Sequence, residues 1–244
     1  MIENSVSVVV PAFNEEECIL KTLSNIHNFL IKNFNNFEII VVDDASYDDT
    51  YSIALRLSGK IHSLKVLKND INYGKGFSVR KGVLSAISEY ILFSDADLST
   101  PIDELNKFIN YLEKGIDIVI GSRALRESNI LKKQGFFRRN MGRMFNLLIQ
   151  AILFGGIKDT QCGFKCLKKN VARKIFKLQR LHGFCFDAEI LYIAKKCGYS
   201  IKEVPVKWIN RESSRVSMIR DSFRMFLDIF QIKINDVRGC YEDR

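Results

Sequence analysis

The chain has 244 residues and a formal net charge of +9, from 37 lysines and arginines against 28 acidic residues. That length suits one substantial domain, and the excess of positive charge favours an anionic partner such as a nucleotide, a lipid phosphate or a phospholipid surface. The composition argues against a membrane-spanning protein, because the most apolar long window, residues 144–157, falls short of the ~20 residues that a bilayer crossing needs.

The first half of the chain alternates β-branched runs with helical patterns. The first run starts at Val6, which leaves no room for a signal peptide before it. Such alternation predicts an α/β fold with a mostly parallel sheet and crossover helices. The predicted strands are residues 7–11, 37–42, 63–67, 90–94 and 117–120, and the predicted helices are residues 15–31, 49–57, 76–88 and 101–115.

The second half is less regular. We predict helices at about residues 136–154, 186–196 and 218–234, and a strand at residues 204–208. The first of these helices mixes apolar side chains with arginines, a composition typical of an interfacial helix on anionic lipid and equally of an amphipathic helix packed on a core. The six cysteines lack metal-ligand spacing, and no nucleic-acid motif is present, so we expect a reduced cytoplasmic protein without a nucleic-acid partner.

Two acidic pairs follow predicted strands. Asp95 and Asp97 come directly after residues 90–94, and Asp43 and Asp44 come directly after residues 37–42. Ligands of open α/β sheets bind beyond the carboxyl ends of the strands, so both pairs are expected at one edge. Carboxylates suit Mg²⁺ or Mn²⁺, which would clamp a diphosphate there. The alternative for either pair is a solvated turn.

These motifs, in this order, resemble the family 2 glycosyltransferases with the GT-A fold, and within them the polyprenol-phosphate sugar transferases. The similarity is greatest to dolichyl-phosphate β-glucosyltransferases, with dolichyl-phosphate mannose synthases as cousins. The segments that carry it are residues 8–16 (VVVPAFNEE), 41–46 (VVDDAS), 95–97 (DAD), 120–123 (IGSR), 159–165 (DTQCGFK), Trp208 and 214–216 (SRV).

The resemblance implies one GT-A (Rossmann-like) domain over residues 1–244. Residues 1–123 would bind the nucleotide sugar, and residues 124–244 would form an acceptor half with amphipathic helices. The implied donor is UDP-glucose, with guanosine nucleotides and other hexoses left open, and the implied metal is Mg²⁺ or Mn²⁺ held by Asp97 and Asp95. The residues expected to contact donor or metal are Pro11, Ala12, Asn14, Glu15, Asp44, Lys75, Asp95, Ala96, Asp97, Arg211 and Arg215.

Several of these positions have simpler interpretations. Asn14 and Glu15 also fit a helix start, where Asn caps and Glu complements the helix dipole. Lys75 also fits a solvated residue in a glycine-rich turn. The resemblance lets Lys165, Arg211 and Arg215 fold over the donor diphosphate as part of a lid, and Trp208 fits a packed strand end or a sugar platform.

On the acceptor side, the resemblance points to Arg123 and Arg138 as ligands of the acceptor phosphate, since guanidinium groups bind such oxygens bidentately. A solvated or lipid-facing pair is the alternative for Arg138 and its neighbour. Asp159 is the candidate base, with Asp187 and Glu189 as competitors, and a structural cap is the alternative for Asp159. A phosphate acceptor is mostly ionised at neutral pH, so Asp159 can orient instead of deprotonating.

The predicted reaction is therefore an inverting, metal-dependent transfer of a hexose onto a polyprenyl phosphate at the cytoplasmic face of a membrane. Eukaryotic glucosyl enzymes of this kind carry an N-terminal membrane helix and many bacterial relatives carry C-terminal ones, so we expect peripheral membrane contact here. Two alternatives remain: transfer to a hydroxyl of a soluble or cell-surface glycan, with Asp159 or Asp187 as an obligatory base, and a non-catalytic nucleotide-binding protein.

Overall fold

The computed structural model describes residues 3–132, 136–209 and 220–242, without the side chains of residues 132, 136–141, 143 and 220–222. Strands and helices alternate as predicted through the first half. The strands are β1 (Val6–Ala12), β2 (Phe37–Asp43), β3 (Leu64–Lys68), β4 (Tyr90–Ser94), β5 (Ile118–Ser122), β6 (Asn129–Lys132), β7 (Phe164–Lys168), β8 (Ile201–Pro205) and β9 (Lys207–Ile209). The α-helices are α1 (Ile19–Asn33), α2 (Thr50–Ser58), α3 (Lys75–Ser85), α4 (Leu105–Glu113), α5 (Phe136–Ile152), α6 (Lys169–Leu178), α7 (Phe186–Lys196) and α8 (Arg220–Val237).

The central sheet has seven strands in the order β3-β2-β1-β4-β7-β5-β8. Every pairing is parallel except the two made by β7, which runs antiparallel between β4 and β5. The predicted α/β fold with a mostly parallel sheet flanked by helices is thus confirmed. Neither β7 nor α6 was expected, because the motif at residues 159–165 hid the start of a strand within an apparent loop.

Apolar residues of each central strand alternate between two cores, one on each face of the sheet. Val8 and Val10 of β1 join the core with α1 and α4, whereas Val9 joins the core with α3, α6 and α7. A strand buried on both faces reads as a continuous apolar run, which is why β1 and β4 were easily found in the sequence. This double burial fixes the carboxyl ends of the strands at one edge.

Three boundaries differ from the prediction. Helix α1 begins at Ile19 and not near residue 15, because Asn14 adopts a left-handed backbone conformation with φ of 55°. The predicted strand at residues 204–208 is divided into β8, in the central sheet, and β9, which pairs with β6 in a separate two-stranded sheet. The helix predicted to end at residue 154 ends at Ile152.

Helices α5 and α8 pack against each other and expose apolar side chains. Ile149 of α5 and Ile229 and Ile232 of α8 are fully buried in the core, whereas Met144 and Leu147 are 60% and 65% exposed. The described part of α5 therefore combines the two predicted characters, packing one face on the core and presenting another to solvent. Among the described residues, no helix is both long and apolar enough to cross a membrane.

Candidate active site

The carboxyl ends of β1, β2 and β4 open into a cavity of about 850 Å³. Its wall includes most of the residues predicted to contact the donor, although they come from four separate loops. The lining residues that were predicted are Pro11, Ala12, Glu15, Asp44, Lys75, Asp95, Ala96 and Asp97. The tertiary structure therefore assembles the two acidic pairs as the strand order requires, with Asp44 and not Asp43 facing the cavity.

The loops at this edge adopt unusual backbone conformations. Asn14, Ala45 and Leu98 follow β1, β2 and β4, and each has a positive φ, between 48° and 59°. Non-glycine residues occupy this region at a cost and concentrate at functional sites. Thr22 of α1 donates a hydrogen bond of 2.6 Å to the Ala96 carbonyl and thereby holds the loop that carries Asp95 and Asp97.

Asn14 is the one predicted donor contact, among those described, that is not in the cavity wall. Its backbone N–H donates to Ser46 Oγ at 2.9 Å, and its Oδ1 accepts from the Tyr47 N–H at 3.1 Å. It is neither a helix cap nor, in this geometry, a nucleotide ligand. Asn14 instead ties the loop after β1 to the loop after β2, so that Pro11 and Asp44 keep a fixed separation.

Asp44 organises the loop that precedes α3. Its Oδ1 accepts from Asn69 Nδ2 at 2.7 Å and from the Tyr73 N–H at 3.1 Å, and its Oδ2 accepts from the Gly74 N–H at 2.7 Å. Gly74 has a φ of 100°, and a Cβ there would lie 2.7 Å from the His182 carbonyl oxygen, so no side chain fits. Asp44 is 3% exposed, and the predicted solvated turn is excluded.

Lys75 lies at the start of α3 and pairs with the metal-candidate loop. Its Nζ is 2.5 Å from Asp95 Oδ1. Burial works against the charge on Lys75, but attraction to Asp95 and Asp187 outweighs it and raises the pKa of Lys75 above its ordinary value. The solvated-turn interpretation of Lys75 is therefore wrong, and a permanent cation stands beside Asp95.

Asp95 and Asp97 fit a hard divalent cation. The carboxylate of Asp97 accepts from Ser99, through the backbone N–H at 2.8 Å and the Oγ at 2.7 Å. Among the described residues, no cluster of three or more His, Cys, Asp or Glu side chains forms a complete metal cage. Two carboxylates at the edge of a cavity are instead the donor set with which Mg²⁺ or Mn²⁺ binds a substrate diphosphate and water.

Asp95 is also packed against the segment of the 159–165 motif. A Cβ on Gly163 would lie 2.2 Å from Asp95 Oδ2, which shows that the Gly163 backbone touches the carboxylate. Only glycine permits this approach. The 159–165 motif thus reaches the metal-candidate loop through a backbone surface and not through a side chain.

Arg123 and Asp159 form a bidentate ion pair. Arg123 Nε and Nη2 donate to the two carboxylate oxygens at 2.8 and 2.9 Å, and the Arg123 backbone N–H donates to Oδ2 at 2.9 Å. Burial favours the neutral acid, but the attraction of Arg123 prevails and holds the pKa of Asp159 below its ordinary value. Asp159 is therefore an ionised, fully occupied carboxylate, unsuited to act as a base near neutral pH.

Trp208 lies beside this pair. It is 8% exposed, and its ring lies 5.5 Å from the Arg123 guanidinium carbon. The packed strand-end interpretation of Trp208 is confirmed, because the ring covers Arg123 and does not line the cavity. Arg123 itself is not in the cavity wall, so its predicted role as a ligand of the acceptor phosphate stays a prediction.

Lys165 and Asp187 form a second buried pair, behind the first. Lys165 is fully buried in β7, and its Nζ donates to Asp187 Oδ1 and, at 2.6 Å, to the Cys162 carbonyl. The prediction that Lys165 folds over the donor in a lid is wrong. Burial raises the pKa of Asp187, and Lys165 and Lys75 offset only part of that rise.

Glu189 is not placed to bind sugar hydroxyls. It is fully buried, and its carboxylate accepts from the backbone N–H groups of Arg180 and Leu181 at 3.0 and 2.8 Å and from the Tyr241 hydroxyl at 2.6 Å. These bonds fasten residues 180–184, which form a wall of the cavity together with Arg224, Met225 and Asp228 of α8.

This wall was missed in the sequence. The donor loops follow strongly apolar strands, whereas residues 180–184 (RLHGF) join two helices and carry no repeated acidic signal. Only the Gly183 that follows His182 hinted at a close approach. Arg138 falls in α5, but its side chain lies outside the described residues, as do Arg211 and Arg215, so their predicted roles stay predictions.

Comparison with known proteins agrees with this geometry. A sequence profile described as "Glycosyl transferase family 2" matches residues 7–176. A dolichyl-phosphate beta-glucosyltransferase of Dictyostelium discoideum is 34% identical over 248 residues, covering 97% of this chain and 76% of the relative. The enzyme of the same name from Saccharomyces cerevisiae is 32% identical, with coverage of 97% and 76%.

Among solved structures, mannosyl-3-phosphoglycerate synthase from Rubrobacter xylanophilus superposes with a TM-score of 0.70 at 18% identity, covering 97% of this chain and 74% of that one. Glucosyl-3-phosphoglycerate synthase from Mycobacterium tuberculosis, in complex with Mn²⁺, UDP and its product, gives a TM-score of 0.67 at 19% identity, with coverage of 95% and 79%. These likenesses support the GT-A fold, while the profile and the sequence relatives establish more: the chain belongs to the family 2 glycosyltransferases.

Proposed function

We propose that the protein transfers glucose from UDP-glucose to a polyprenyl phosphate such as dolichyl phosphate, with the help of Mg²⁺ or Mn²⁺. The sequence relatives that cover almost the whole chain bear the name of that reaction. The observation that carries the proposal is the cavity in which Asp44, Lys75, Asp95 and Asp97 meet at the carboxyl edge of the sheet.

The donor end of the cavity has the groups that this chemistry needs. Pro11, Ala12 and Glu15 approach the nucleoside, and Asp44 keeps the loop before α3 against it. Asp95 and Asp97 would hold the cation, which stabilises the charge that develops on the departing diphosphate. Lys75, held positive beside Asp95, adds a second cation near the same oxygens.

The carboxylates near the acceptor side favour a phosphate acceptor over a hydroxyl. Transfer to a hydroxyl needs a base, but the carboxylate of Asp159 is occupied by Arg123 and that of Asp187 accepts from Lys165. A phosphate monoester loses its second proton near pH ~6 and needs no base. Its oxygen attacks C1 opposite the leaving UDP, which inverts the configuration at that carbon.

Peripheral contact with the cytoplasmic face of a membrane completes the proposal. Helix α8 exposes Phe223 by 65% and Leu227 by 51%, and α5 exposes Leu147 by 65%. Large apolar side chains that cluster on two adjacent helices mark an interaction surface. A lipid acceptor would reach the cavity from that surface.

The test is a transfer assay with purified protein, Mn²⁺, dolichyl phosphate and a panel of labelled nucleotide sugars. We expect label in the organic phase only with UDP-glucose, and a pH profile for the acceptor that rises near pH ~6 with the second ionisation of phosphate. Release of UDP without labelled lipid, or a strict requirement for a glycan hydroxyl, would contradict the proposal.

A further inference from the structure

Two arginines that no sequence motif singled out line the same cavity as Asp95 and Asp97. Arg180 follows α6 in the wall formed by residues 180–184, and Arg224 lies in α8. Both side chains are exposed to the open end of the cavity. The cavity is therefore acidic at its donor end and carries two guanidinium groups at the other.

The donor groups of these arginines are largely unspent, in contrast to those of Arg123. Arg180 donates one hydrogen bond, of 3.5 Å, to the Cys240 carbonyl, and within the described residues Arg224 makes neither a hydrogen bond nor an ion pair. Arg123, by comparison, gives two of its donors to Asp159. A guanidinium that binds a ligand phosphate needs donors that the protein has not already used.

The backbone that carries Arg180 is held firmly although its side chain is exposed. The buried carboxylate of Glu189 binds the Arg180 and Leu181 N–H groups, and Tyr241 donates to that carboxylate at 2.6 Å. Phe77 of α3 donates its N–H to the His182 carbonyl at 3.2 Å. This anchoring from two helices and the C-terminal segment keeps Arg180 at the cavity with little ordering cost.

Helix α8 separates the cavity from the apolar surface. Arg224, Met225 and Asp228 line the cavity, while Phe223 and Leu227 on the same turns are 65% and 51% exposed. An amphiphile with a charged head and an apolar chain matches this arrangement, with its head in the cavity and its chain over the outer side of the helix.

We infer that Arg180 and Arg224 form an acceptor subsite that binds the phosphate monoester of the lipid acceptor. The inference rests on the proposed function and deepens it, since it places the acceptor phosphate on residues other than Arg123 and Arg138. Two guanidinium groups match a phosphate that carries ~1.5 to 2 negative charges at pH 7. Asp228, in the same wall, offsets part of that positive charge.

The test measures binding and does not need turnover. Calorimetric titration of farnesyl phosphate into protein saturated with UDP and Mn²⁺ would be compared for the wild type, R180Q and R224Q. Arg238→Gln is the matched control, because Arg238 follows α8, is exposed and does not line the cavity. Circular dichroism checks that each variant is folded, and UDP affinity is measured separately.

We expect each cavity variant to weaken farnesyl phosphate binding about tenfold, the loss typical of one charge-assisted hydrogen bond. The affinity for UDP and the R238Q control should stay unchanged. Asp228→Asn should tighten farnesyl phosphate binding, because it removes a negative charge next to the phosphate. Opposite signs at Arg224 and Asp228, one turn apart, would not follow from a general disturbance of α8.

Two results would overturn the inference. If R180Q and R224Q weaken UDP by the same factor and leave farnesyl phosphate unchanged, the arginines bind the donor diphosphate. If neither ligand responds, the arginines are solvated surface residues. Farnesol and inorganic phosphate serve as further arms: tight binding of farnesol alone would mean that only the chain is recognised, and equal binding of inorganic phosphate would mean that the lipid is not. If the wild type binds farnesyl phosphate but makes no glycolipid, the proposed function fails and the subsite stands.

Discussion

The donor end and the acceptor end of the cavity are built in different ways. At the donor end, Asp44, Asp95 and Asp97 each follow a buried strand by at most three residues and are held by short loops. At the acceptor end, the groups are held by buried pairs between distant segments, such as Arg123 with Asp159 and Glu189 with Tyr241. Local strand ends can be found in a sequence, whereas pairs that depend on chain crossing cannot.

The difference has an energetic side. A surface ion pair contributes little, because water already solvates both charges. A pair taken out of water depends on its partner, since the loss of one member leaves a buried charge uncompensated. The acceptor end should therefore be sensitive to substitution in its stability, and the donor end in its activity.

The largest effect is expected at the Lys165–Asp187 pair. Lys165 is fully buried, so K165M should leave the Asp187 carboxylate without its principal partner and lower the free energy of unfolding by about 3–5 kcal/mol. Urea denaturation measures this change. The control is K196M, which breaks the more exposed Lys196–Asp236 pair and should cost less than about 1 kcal/mol. Equal losses for the two variants would show that burial does not distinguish the pairs.

The second prediction concerns Asp97. D97N should lower the rate of glucose transfer by at least ~100-fold, because it removes a charged ligand of the cation, with little change in the melting temperature. The transfer assay and a thermal melt measure the two quantities. Asp103→Asn, a change at an exposed residue outside the cavity, is the control and should keep full activity. A fully active D97N would remove Asp97 from the proposed metal site.

The third prediction uses pH to test the Arg123–Asp159 pair. Because the pKa of Asp159 is lowered on folding, its contribution to stability is present above the unfolded pKa near ~4 and is lost as the pH falls through the folded pKa. D159N should therefore cost about 2 kcal/mol at pH 7, the range for hydrogen bonds to charged groups.

Below pH ~4 the difference between the wild type and D159N should shrink. Urea denaturation between pH 7 and pH 3 would show this convergence. A constant difference over that range would mean that Asp159 is not ionised in the folded protein.

The smallest effect is expected at the apolar surface of α8. L227S should reduce partitioning onto anionic phospholipid vesicles several-fold, since burial of one leucine contributes about 1.5–3 kcal/mol when complete. Leu55 of α2 is a close match, being 49% exposed against 51% for Leu227, but it lies on another part of the surface. L55S should partition like the wild type in a vesicle sedimentation assay. Equal losses for both variants would show that α8 is not the contact surface.

Much of the donor end could be predicted from the sequence. The runs at residues 8–10, 39–42 and 90–93 are apolar on both faces, which marks central strands of a parallel sheet. Asp44, Asp95 and Asp97 follow those runs, so their place at the edge of the sheet is a consequence of strand direction. The prediction did not extend to Asn14, since a backbone with positive φ is selected by contacts with Ser46 and Tyr47 across the next loop.

The acceptor end shows what the sequence alone left open. Lys165 stands in a motif and carries a charge, and both features indicated a contact with the donor. Its burial depends on β7 inserting antiparallel between β4 and β5, which brings its side chain to Asp187. Likewise, Arg180 became a cavity residue only because Glu189 and Tyr241 fasten its backbone.

The sequence by itself determined the α/β class, the parallel strands and the carboxylates at their ends, because these follow from local periodicity and from the direction of each strand. The tertiary structure decided which charges pair and which face the cavity. Arg123 and Lys165 are spent on Asp159 and Asp187, whereas Arg180 and Arg224 face the open end. That division depends on desolvation and on the meeting of distant segments, and neither is encoded in the spacing of residues along the chain.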